Sequence, residues 1–363
     1  MIKRIFFIKI RVRKKVFFFK YKILVGILLF LLLIMIINYF SSIEWKNTAI
    51  SIRMYQKSIS NFNVNDIKND EERQLYIHNK TEFFKQLRIK FLLSKNIIYD
   101  ESKLNTFQDK LSWLIIHESP QYKSFLVDKI RLHEYSKIIL GKDICVPIYK
   151  IYDNINEINF NELPNQFVLK LNHASGMNIV CENKLQLNIK KTLYLLNVWK
   201  NMNSGLLTAQ YQYIYVKRKI FAEKFLGKDL IEYKVFCFNG KPKFIRIKMH
   251  LNIGKKNIKL GNIYNLDWKL TELEPGINQY IRDPSINVKK PKNFKLMIKY
   301  AQLLSQEFVI VRVDFYEINN IIYLGELTFS PSNGLVNWKN KKQNILIGQL
   351  MDIKKIKNYL YNK

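Results

Sequence analysis

Two acidic residues interrupt otherwise apolar stretches near the C-terminal end of the sequence. Asp314 lies in FVIVRVDFY and Glu326 in IIYLGELT, and the pair Asn319-Asn320 between them predicts a β-hairpin. A buried carboxylate without a partner is costly, so two acids in apolar strands require cations. Mg²⁺ prefers carboxylates together with phosphate oxygens. The two acids therefore predict a magnesium site for a nucleotide.

The register of this hairpin decides whether its acids can share one ion. A turn made of Asn319 and Asn320 alone would place Asp314 and Glu326 on opposite faces of the sheet and destroy the metal site. A three-residue or bulged loop would shift the pairing by one residue and place the two acids directly across from each other. We predict the shifted register.

A lysine at the end of a strand predicts a phosphate contact. Lys170 lies near the end of the strand FVLKL, and the loop that follows contains the small residues Ser175 and Gly176. Small residues let backbone N–H groups approach phosphate oxygens, while the lysine supplies a point charge. A lysine that leaves a strand into a turn also has a purely structural explanation, which stays open here.

Two further charged residues lie in predicted strands. Glu223 in IFAEKF can hold the polar edges of adenine and ribose, and a surface pair with Lys224 is its alternative explanation. Lys234 in YKVFCF can reach a phosphate or a substrate carboxylate. The Asn239-Gly240 pair that follows predicts only a type I′ hairpin turn.

The elements that must hold these residues alternate in a way that favours an α+β or α/β fold. The pair Thr106 and Asp109 predicts a helix start, and one helix is predicted from Ser119-Pro120 to Gly141. Strands are predicted in VPIYKIY, FVLKL, NIVC, YIYVKRKIFAEKF, YKVFCF and PKFIRIKM. Further helices are predicted at about 189–203, 291–306 and, as a basic amphipathic helix, 341–363.

The N-terminal stretch predicts a membrane anchor. Residues 1–22 contain nine Lys or Arg and no acid, and residues 23–37 are apolar apart from Gly26. With flanking aromatic residues this run approaches the roughly 20 residues that span a bilayer. We predict an uncleaved single-pass transmembrane helix with a cytoplasmic N-terminus. A signal peptide, a buried helix and an interfacial anchor are the alternatives.

The anchor leads to a prediction for localisation and domains. ATP chemistry places the catalytic domain on the ATP-containing side of the membrane, although the charge count around the anchor favours export of that domain. The predicted domains are a basic tail and anchor at 1–40, a stalk and helical lead-in at 41–100, a catalytic domain at 101–340 and a basic helix at 341–363.

Composition limits the partners and the chemistry. The formal charge of +31 favours an anionic membrane or an anionic substrate such as a lipid-phosphate glycan, or reflects solvated lysines. Nucleic acid is not an expected partner, because no zinc-finger spacing, RNA-recognition signature or basic heptad region occurs. Three widely spaced cysteines without a Cys-x-x-Cys pair predict reduced core thiols. Without a His-Glu-x-x-His run, a zinc hydrolase has no support.

The order of these motifs resembles that of the TupA-like ATP-grasp family, which is associated with teichuronopeptide and other surface-polysaccharide biosynthesis. The similarity runs from about residue 106 to 334, through TFQDKLSWL, VDKIRLHEY, PIYKIYDNINEINFNELPNQFVLKLNHASGMNIV, IFAEKFL, YKVFCFNGKPKFI, VRVDFY and YLGELTFSPSNG. It implies an ATP-grasp-like two-lobed fold that holds ATP and Mg²⁺ between its lobes.

The resemblance also implies a nucleotide-binding role for several residues. Lys170 is similar to the phosphate-binding lysine, and His173, Ser175 and Gly176 belong to the block that resembles the loop over the phosphates. Glu223 is similar to the acid on the adenine and ribose side.

Catalytic and metal-binding roles are implied in the same way. Lys234 resembles the basic residue that follows the adenine-side acid, and Arg312 a stabiliser of the phosphate or acyl-phosphate. Asp314 and Glu326 would be the magnesium ligands.

The sequence departs from the family pattern at two positions. Ala174 replaces a glycine of the loop, which narrows its flexibility because alanine disfavours positive φ. Thr328 replaces an asparagine two residues after the metal glutamate, where Ser330 or Asn333 could compensate.

The function that the resemblance implies is an ATP-dependent, carbon–nitrogen bond-forming ligase. It would activate a carboxylate as an acyl-phosphate, with a glycan or lipid-linked sugar as the acceptor in surface-polysaccharide assembly. A glycosyltransferase is the first alternative, although we find no Asp-x-Asp motif. A non-catalytic, membrane-bound scaffold with the same fold is the second.

Overall fold

The computed structural model describes residues 67, 69–118, 120–253, 256–274, 276, 280–336 and 338–354. The helices that it describes are α1 Asp70–His78, α2 Lys80–Leu93, α3 Phe107–His117, α4 Pro120–Val127, α5 Leu132–Leu140, α6 Ile189–Asn201, α7 Ser204–Leu207, α8 Phe294–Ser305 and α9 Lys341–Gln349. The strands are β1 Ile148–Tyr152, β2 Phe167–Leu171, β3 Asn178–Cys181, β4 Ile220–Lys224, β5 Glu232–Phe238, β6 Lys241–Ile253, β7 Lys256–Leu260, β8 Ile263–Asn265, β9 Ile310–Ile318 and β10 Ile321–Thr328.

Helix boundaries follow local side-chain hydrogen bonds. Helix α3 begins at the predicted capping box, where Thr106 Oγ1 accepts the Asp109 N–H at 3.1 Å and the Asp109 carboxylate accepts the Thr106 N–H at 3.0 Å. The single helix predicted from residue 119 to Gly141 is wrong. The Asp128 carboxylate accepts the Ile130 N–H at 2.9 Å, which competes with helical bonding and separates α4 from α5. Helix α5 ends at Gly141, as predicted.

The first sheet places two predicted site residues on neighbouring strands. Its strand order is β1-β4-β2-β3, with antiparallel neighbours throughout. Lys170 lies on β2 and Glu223 on β4. The strand predicted to begin near Tyr213 begins only at Ile220, because residues 211–213 form a 3₁₀ turn. Buried residues of β2, including Phe167 and Leu169, form the core under this sheet with α6.

The second sheet is larger and carries the predicted hairpin. Its order is β10-β9-β5-β6-β7, and β8 pairs separately with β6, again antiparallel. Helix α8 packs on β5, β6 and β9. The Asn239-Gly240 pair forms the predicted tight turn, since both residues have positive φ and Phe238 pairs with Lys241.

The hairpin turn itself is as short as it can be. Asn319 and Asn320 both have positive φ, 50° and 62°, and Ile318 pairs with Ile321. This two-residue turn fits a type I′ geometry, for which asparagine is suited. A straight ladder from this turn would leave the two acids on opposite faces.

A β-bulge in β10 brings the two acids onto the same face of the sheet. The register shifts between Leu324 and Glu326, where Gly325 is the extra residue, and Asp314 then pairs with Glu326. A Cβ at position 325 would lie 3.0 Å from the Tyr316 ring, which leaves little room for a side chain. The predicted pairing is confirmed, but a bulge within the strand produces it instead of a longer turn.

The core beside the second sheet extends into the helices before it. Tyr76, Phe83 and Phe84 of α1 and α2 belong to the same buried cluster as Phe236 and Trp338. These helices lie within residues 41–100, which were predicted to be a stalk and helical lead-in. The three cysteines, Cys145, Cys181 and Cys237, are free and buried, which confirms the prediction for them.

The predicted membrane localisation is contradicted. In the part of the chain that the structure describes, no helix is both long enough and apolar enough to cross a bilayer. The predicted anchor at 23–37 and the tail before it lie outside the described residues, as do residues 355–363 of the predicted C-terminal basic helix.

Candidate active site

Charged side chains form a row across one face of the second sheet. Strand pairing places Glu326 opposite Asp314, Asp314 opposite Lys234, and Lys234 opposite Arg246. Residues that pair directly across neighbouring strands point to the same face. The row therefore runs from two acids on β10 and β9 to two cations on β5 and β6. We call these four residues the charged row.

Arg312 ties the two acids of this row together. Its Nε and Nη2 atoms each donate to an oxygen of Asp314 at 2.7 Å, and Nη2 also donates to Glu326 at 3.0 Å. Burial opposes the charge of Arg312, but the attraction and hydrogen bonds of Asp314, together with the charges of Glu326 and Glu232, raise the arginine pKa above its usual value. Thr328 Oγ1 accepts from Arg312 at 3.0 Å and donates to Glu326 at 2.9 Å.

Two lysines complete the neutralisation of the acids. Lys234 Nζ lies 2.6 Å from Asp314 and 2.5 Å from Glu232. Burial alone would lower the pKa of Lys234, but Asp314, Glu232 and Glu326 together raise it. Lys129 Nζ, in the segment between α4 and α5, lies 3.6 Å from Glu326 Oε2. Cations of the chain thus lie beside both acids.

The donor set fits a divalent cation. Asp314 and Glu326 face each other, and both carry oxygen ligands of the kind that Mg²⁺ prefers. Glu326 Oε2 accepts no hydrogen bond from the described residues, so it is the oxygen most open to an ion. The surrounding cations offset the negative charge of the two acids.

Glu326 should make the stability of the fold depend on pH. Burial opposes its ionisation, but Lys129, Arg312 and Lys234 outweigh burial and hold its pKa below the usual value of 4.5. Because the folded pKa is the lower one, ionised Glu326 stabilises the fold above about pH 4.5, and this stabilisation is lost as pH falls toward the folded value.

The free energy of unfolding in urea should therefore fall less steeply from pH 5 to pH 3 in Glu326→Gln than in the wild type. Glu307→Gln, at an exposed position, is the control; an equal slope in all three proteins would contradict the expectation.

The first sheet supplies the opposite wall. Lys170 forms an ion pair with Glu223, whose side chain is 10% exposed. Gly176 takes a left-handed conformation with φ of 74° in the loop that follows β2. Ala174 in the same loop does not have positive φ, so the alanine that replaces a family glycine causes no strain here. Its carbonyl accepts from Lys129 at 2.8 Å, which connects the loop to the acids.

Both walls line one cleft of about 460 Å³. The predicted site residues that line it are Lys170, Ser175, Gly176, Lys234, Arg312, Asp314 and Glu326. Glu223 is not among the lining residues and contacts the cleft through Lys170. His173 is 1% exposed beneath the loop and does not line the cleft either. Burial, with the charge of Arg218, lowers its pKa to about 4, so it is neutral at pH 7.

A strained turn closes one end of the cleft. Ser332, Asn333 and Gly334 all have positive φ, between 52° and 68°. Such conformations cost about 1–3 kcal/mol for residues other than glycine, and they persist only where the surroundings enforce them. The buried Arg88 of α2 does so, because its two Nη atoms donate to the carbonyls of Asn333 and Gly334, each at 2.9 Å.

The Thr328 hydroxyl is part of the site. Thr328 contacts Glu326 and Arg312 directly, whereas the two proposed substitutes are bound elsewhere. Ser330 donates to Gln210 at 2.6 Å, and the Asn333 side chain accepts from Gln210 at 2.7 Å. The threonine hydroxyl therefore occupies the place beside the metal glutamate by itself.

Sequence reasoning missed three residues of this region. Lys129 lies in VDKIRLHEY, a segment that carries the family resemblance, so a signal for it was present. Arg246 alternates with apolar residues in PKFIRIKM, but its position in the charged row depends on strand pairing. Arg88 is fully buried in a helix of the predicted lead-in, and no local sequence pattern indicates its role.

This arrangement of two antiparallel sheets around a charged cleft is an α+β, ATP-grasp-like fold. The chain belongs to the TupA-like ATPgrasp family, whose sequence profile matches residues 109–352. This membership confirms the family that the sequence motifs predicted. No curated protein matches the chain significantly.

Three solved structures show a distant similarity. D-alanine-D-alanine ligase from Helicobacter pylori is 16% identical with a TM-score of 0.34, over 64% of this chain and 62% of that chain. The chain thus spans less than two thirds of that ligase. D-alanine–D-alanine ligase from Bacillus anthracis complexed with ATP is 16% identical with a TM-score of 0.37, over 77% and 81%. L-amino acid ligase from Bacillus licheniformis is 10% identical with a TM-score of 0.39, over 72% and 58%.

Proposed function

We propose that the chain is a Mg²⁺-dependent ligase that activates a carboxylate with ATP and joins it to an amine or hydroxyl acceptor. One observation carries this proposal: Asp314 and Glu326 face each other across a bulge, in the cleft that Lys170 and its loop line from the other side. Bound Mg²⁺ would supply charge neutralisation for the phosphates of ATP. Lys170 and the loop with Ser175 and Gly176 would hold these phosphates, and Glu223 would fix the position of Lys170.

The proposed reaction needs no protein nucleophile. A substrate carboxylate oxygen attacks the γ-phosphorus of ATP, the bond from that phosphorus to the β,γ-bridging oxygen breaks, and ADP leaves. The acceptor nitrogen or oxygen then attacks the acyl carbon, phosphate leaves, and the acceptor loses a proton. Arg312, which is half-buried, and Lys234, which is buried, would stabilise the charge on the transferring phosphoryl group.

For the biological substrate we propose a component of a cell-surface polysaccharide. The family resemblance supports this assignment, and the formal charge of +31 favours an anionic partner such as a glycan that carries acids. The reaction can be tested by incubating the chain with ATP, Mg²⁺ and pools of amino acids and sugar acids. Phosphate release that depends on a pool supports the ligase. Absence of release from every pool would count against it.

Asp314→Asn tests the metal site directly. At about 100 times the dissociation constant, Mg²⁺·ATP should stabilise the wild type by about 2.7 kcal/mol, which raises the melting temperature by roughly 5 °C. The variant should lose most of this shift, because one magnesium ligand is gone. The ligand-induced shift is compared, rather than the melting temperature itself, since the variant also removes the carboxylate that Lys234 and Arg312 share.

The control for this test is Asp267→Asn, which removes an acid from an exposed position outside the cleft. It should keep the wild-type shift. A wild type that shows no Mg²⁺-dependent shift with ATP would indicate a non-catalytic scaffold and overturn the proposed function.

A further inference from the structure

Arg246 is a cation of the cleft that forms no ion pair with any acid of the described residues. It lies on β6, is half-buried and lines the same cleft as Asp314. Among the described residues, no carboxylate lies within 4.0 Å of its guanidinium, and its Nε makes no hydrogen bond. Burial, with the nearby charge of Arg312, lowers its pKa to about 10, so it stays charged at neutral pH. A desolvated charge of this kind is costly unless a partner arrives.

Two other cations near the acids, Lys234 and Arg312, already have carboxylate partners. Lys234 is 2.6 Å from Asp314, and Arg312 binds both Asp314 and Glu326. Arg246 is one strand beyond Lys234, on the side away from the acids. Two strand spacings separate it from Asp314, which is roughly 10 Å along the sheet. Its charge therefore serves something other than the metal ligands.

A second cation and a tyrosine complete the surroundings of Arg246. Lys248 follows on the same face of β6 and is 3.7 Å from its only described acidic partner, Glu232, which is itself 2.5 Å from Lys234. The ring of Tyr280 lies 6.0 Å from the Arg246 guanidinium and 4.8 Å from Lys248 Nζ. The Tyr280 hydroxyl is 2.8 Å from His250 Nε2, which fixes the ring beside both cations. All three side chains, Arg246, Lys248 and Tyr280, line the cleft.

We propose that Arg246 and Lys248 form an anion subsite for the substrate, which binds a carboxylate or phosphate group that is separate from the reacting group. The inference rests on the proposed function, since it assigns the substrate class of the same cleft. A guanidinium can bind either anion with two parallel hydrogen bonds, and the adjacent lysine adds a point charge. The substrate is thereby held with its reacting carboxylate toward the acids and a second anionic group about 10 Å away.

Small anions test the subsite in the full chain. Thermal unfolding is followed with Mg²⁺ and a saturating non-hydrolysable ATP analogue, which fills the phosphate positions, while glutarate or inorganic phosphate is titrated. The wild type should be stabilised by at least one probe. Arg246→Gln should raise the apparent dissociation constant of that probe about tenfold or more, because charge-assisted hydrogen bonds are lost. Arg246→Lys should recover part of the affinity.

Lys243→Gln is the matched control. Lys243 lies on the same strand, is exposed and does not line the cleft, so its variant changes the net charge equally and should respond as the wild type does. Stabilisation by glutarate alone assigns the subsite to a carboxylate, and by phosphate alone to a phosphate. Stabilisation by both supports a subsite for either anion.

Two results would overturn the inference. One is a wild type that neither probe stabilises, and the other is an Arg246→Gln variant that responds as the wild type does. Both leave the proposed function standing if the ATP analogue still stabilises the protein. Failure of the analogue to stabilise the wild type would instead remove the proposed function.

Discussion

Arg312→Lys is expected to lower ATP turnover by about 10²–10³-fold. The guanidinium of Arg312 donates to Asp314 through two nitrogens and reaches Glu326 and Thr328 at the same time. A lysine keeps the charge but offers a single point of attachment, so it can neither hold both acids in register nor follow charge that develops on the transferring phosphoryl group. Phosphate release with Mg²⁺, ATP and a pool that supports turnover is the measurement.

The control for this variant is Arg73→Lys. Arg73 pairs with Asp70 at 2.5 Å on the surface of α1, outside the cleft, so the same change of side chain should leave turnover near the wild-type value. Turnover of Arg312→Lys within about threefold of the wild type would contradict the role assigned to the arginine.

Arg88→Met is expected to lower the free energy of unfolding by about 2–4 kcal/mol. The substitution preserves the approximate volume of the buried side chain but removes the two donors that bind the carbonyls of Asn333 and Gly334. Each buried acceptor left without a donor costs about 1–3 kcal/mol, and Gln108 remains as a second donor for Gly334 only. Urea denaturation at pH 7 is the measurement.

Lys90→Met separates this effect from a loss of charge. Lys90 lies on the same helix with a side chain that is 75% exposed, so its replacement should change stability by no more than about 0.5 kcal/mol. Because the turn that Arg88 holds lines the cleft, the Arg88 variant should also weaken ATP binding. An Arg88→Met protein as stable as Lys90→Met would show that the strained turn does not depend on the arginine.

The hairpin shows how far the sequence could be interpreted. The two strands, the place of the turn at Asn319-Asn320 and the facing of Asp314 with Glu326 were predictable, because two acids in apolar strands need a shared partner, whereas the two-residue length of the turn differs from the longer loop that was predicted. The cause of the shifted pairing was not, since a glycine within a strand signals a bulge only weakly. The prediction of one continuous helix up to Gly141 was wrong because the Asp128 side chain competes with the helix for backbone N–H donors. Sequence periodicity does not reveal this competition.

The residues that sequence reasoning missed depend on contacts between distant segments. Arg88 binds carbonyls that are 245 and 246 residues away in the sequence. Arg246 lies beside Lys234 only because strands β5 and β6 pair. Lys129 and Glu326 meet because the α4–α5 segment lies against β10. No period or motif indicates the contacts of Arg88 and Arg246, and the block that contains Lys129 does not indicate its contact with Glu326, whereas Lys170 and its loop are contiguous and were found.

The glycine bulge has a consequence for how this hairpin can vary. The two-residue turn at Asn319-Asn320 sets the pairing as far as Leu324, and the bulge at Gly325, several residues nearer the cleft, shifts it so that the acids face each other. A different turn of the same length, or a fluorescent label at the tip, should therefore leave the two acids on one face. If the strand straightened with residue 325 still in place, Gly325 would pair with Asp314 and the Glu326 carboxylate would turn to the other face of the sheet, so the cleft depends on the bulge staying formed.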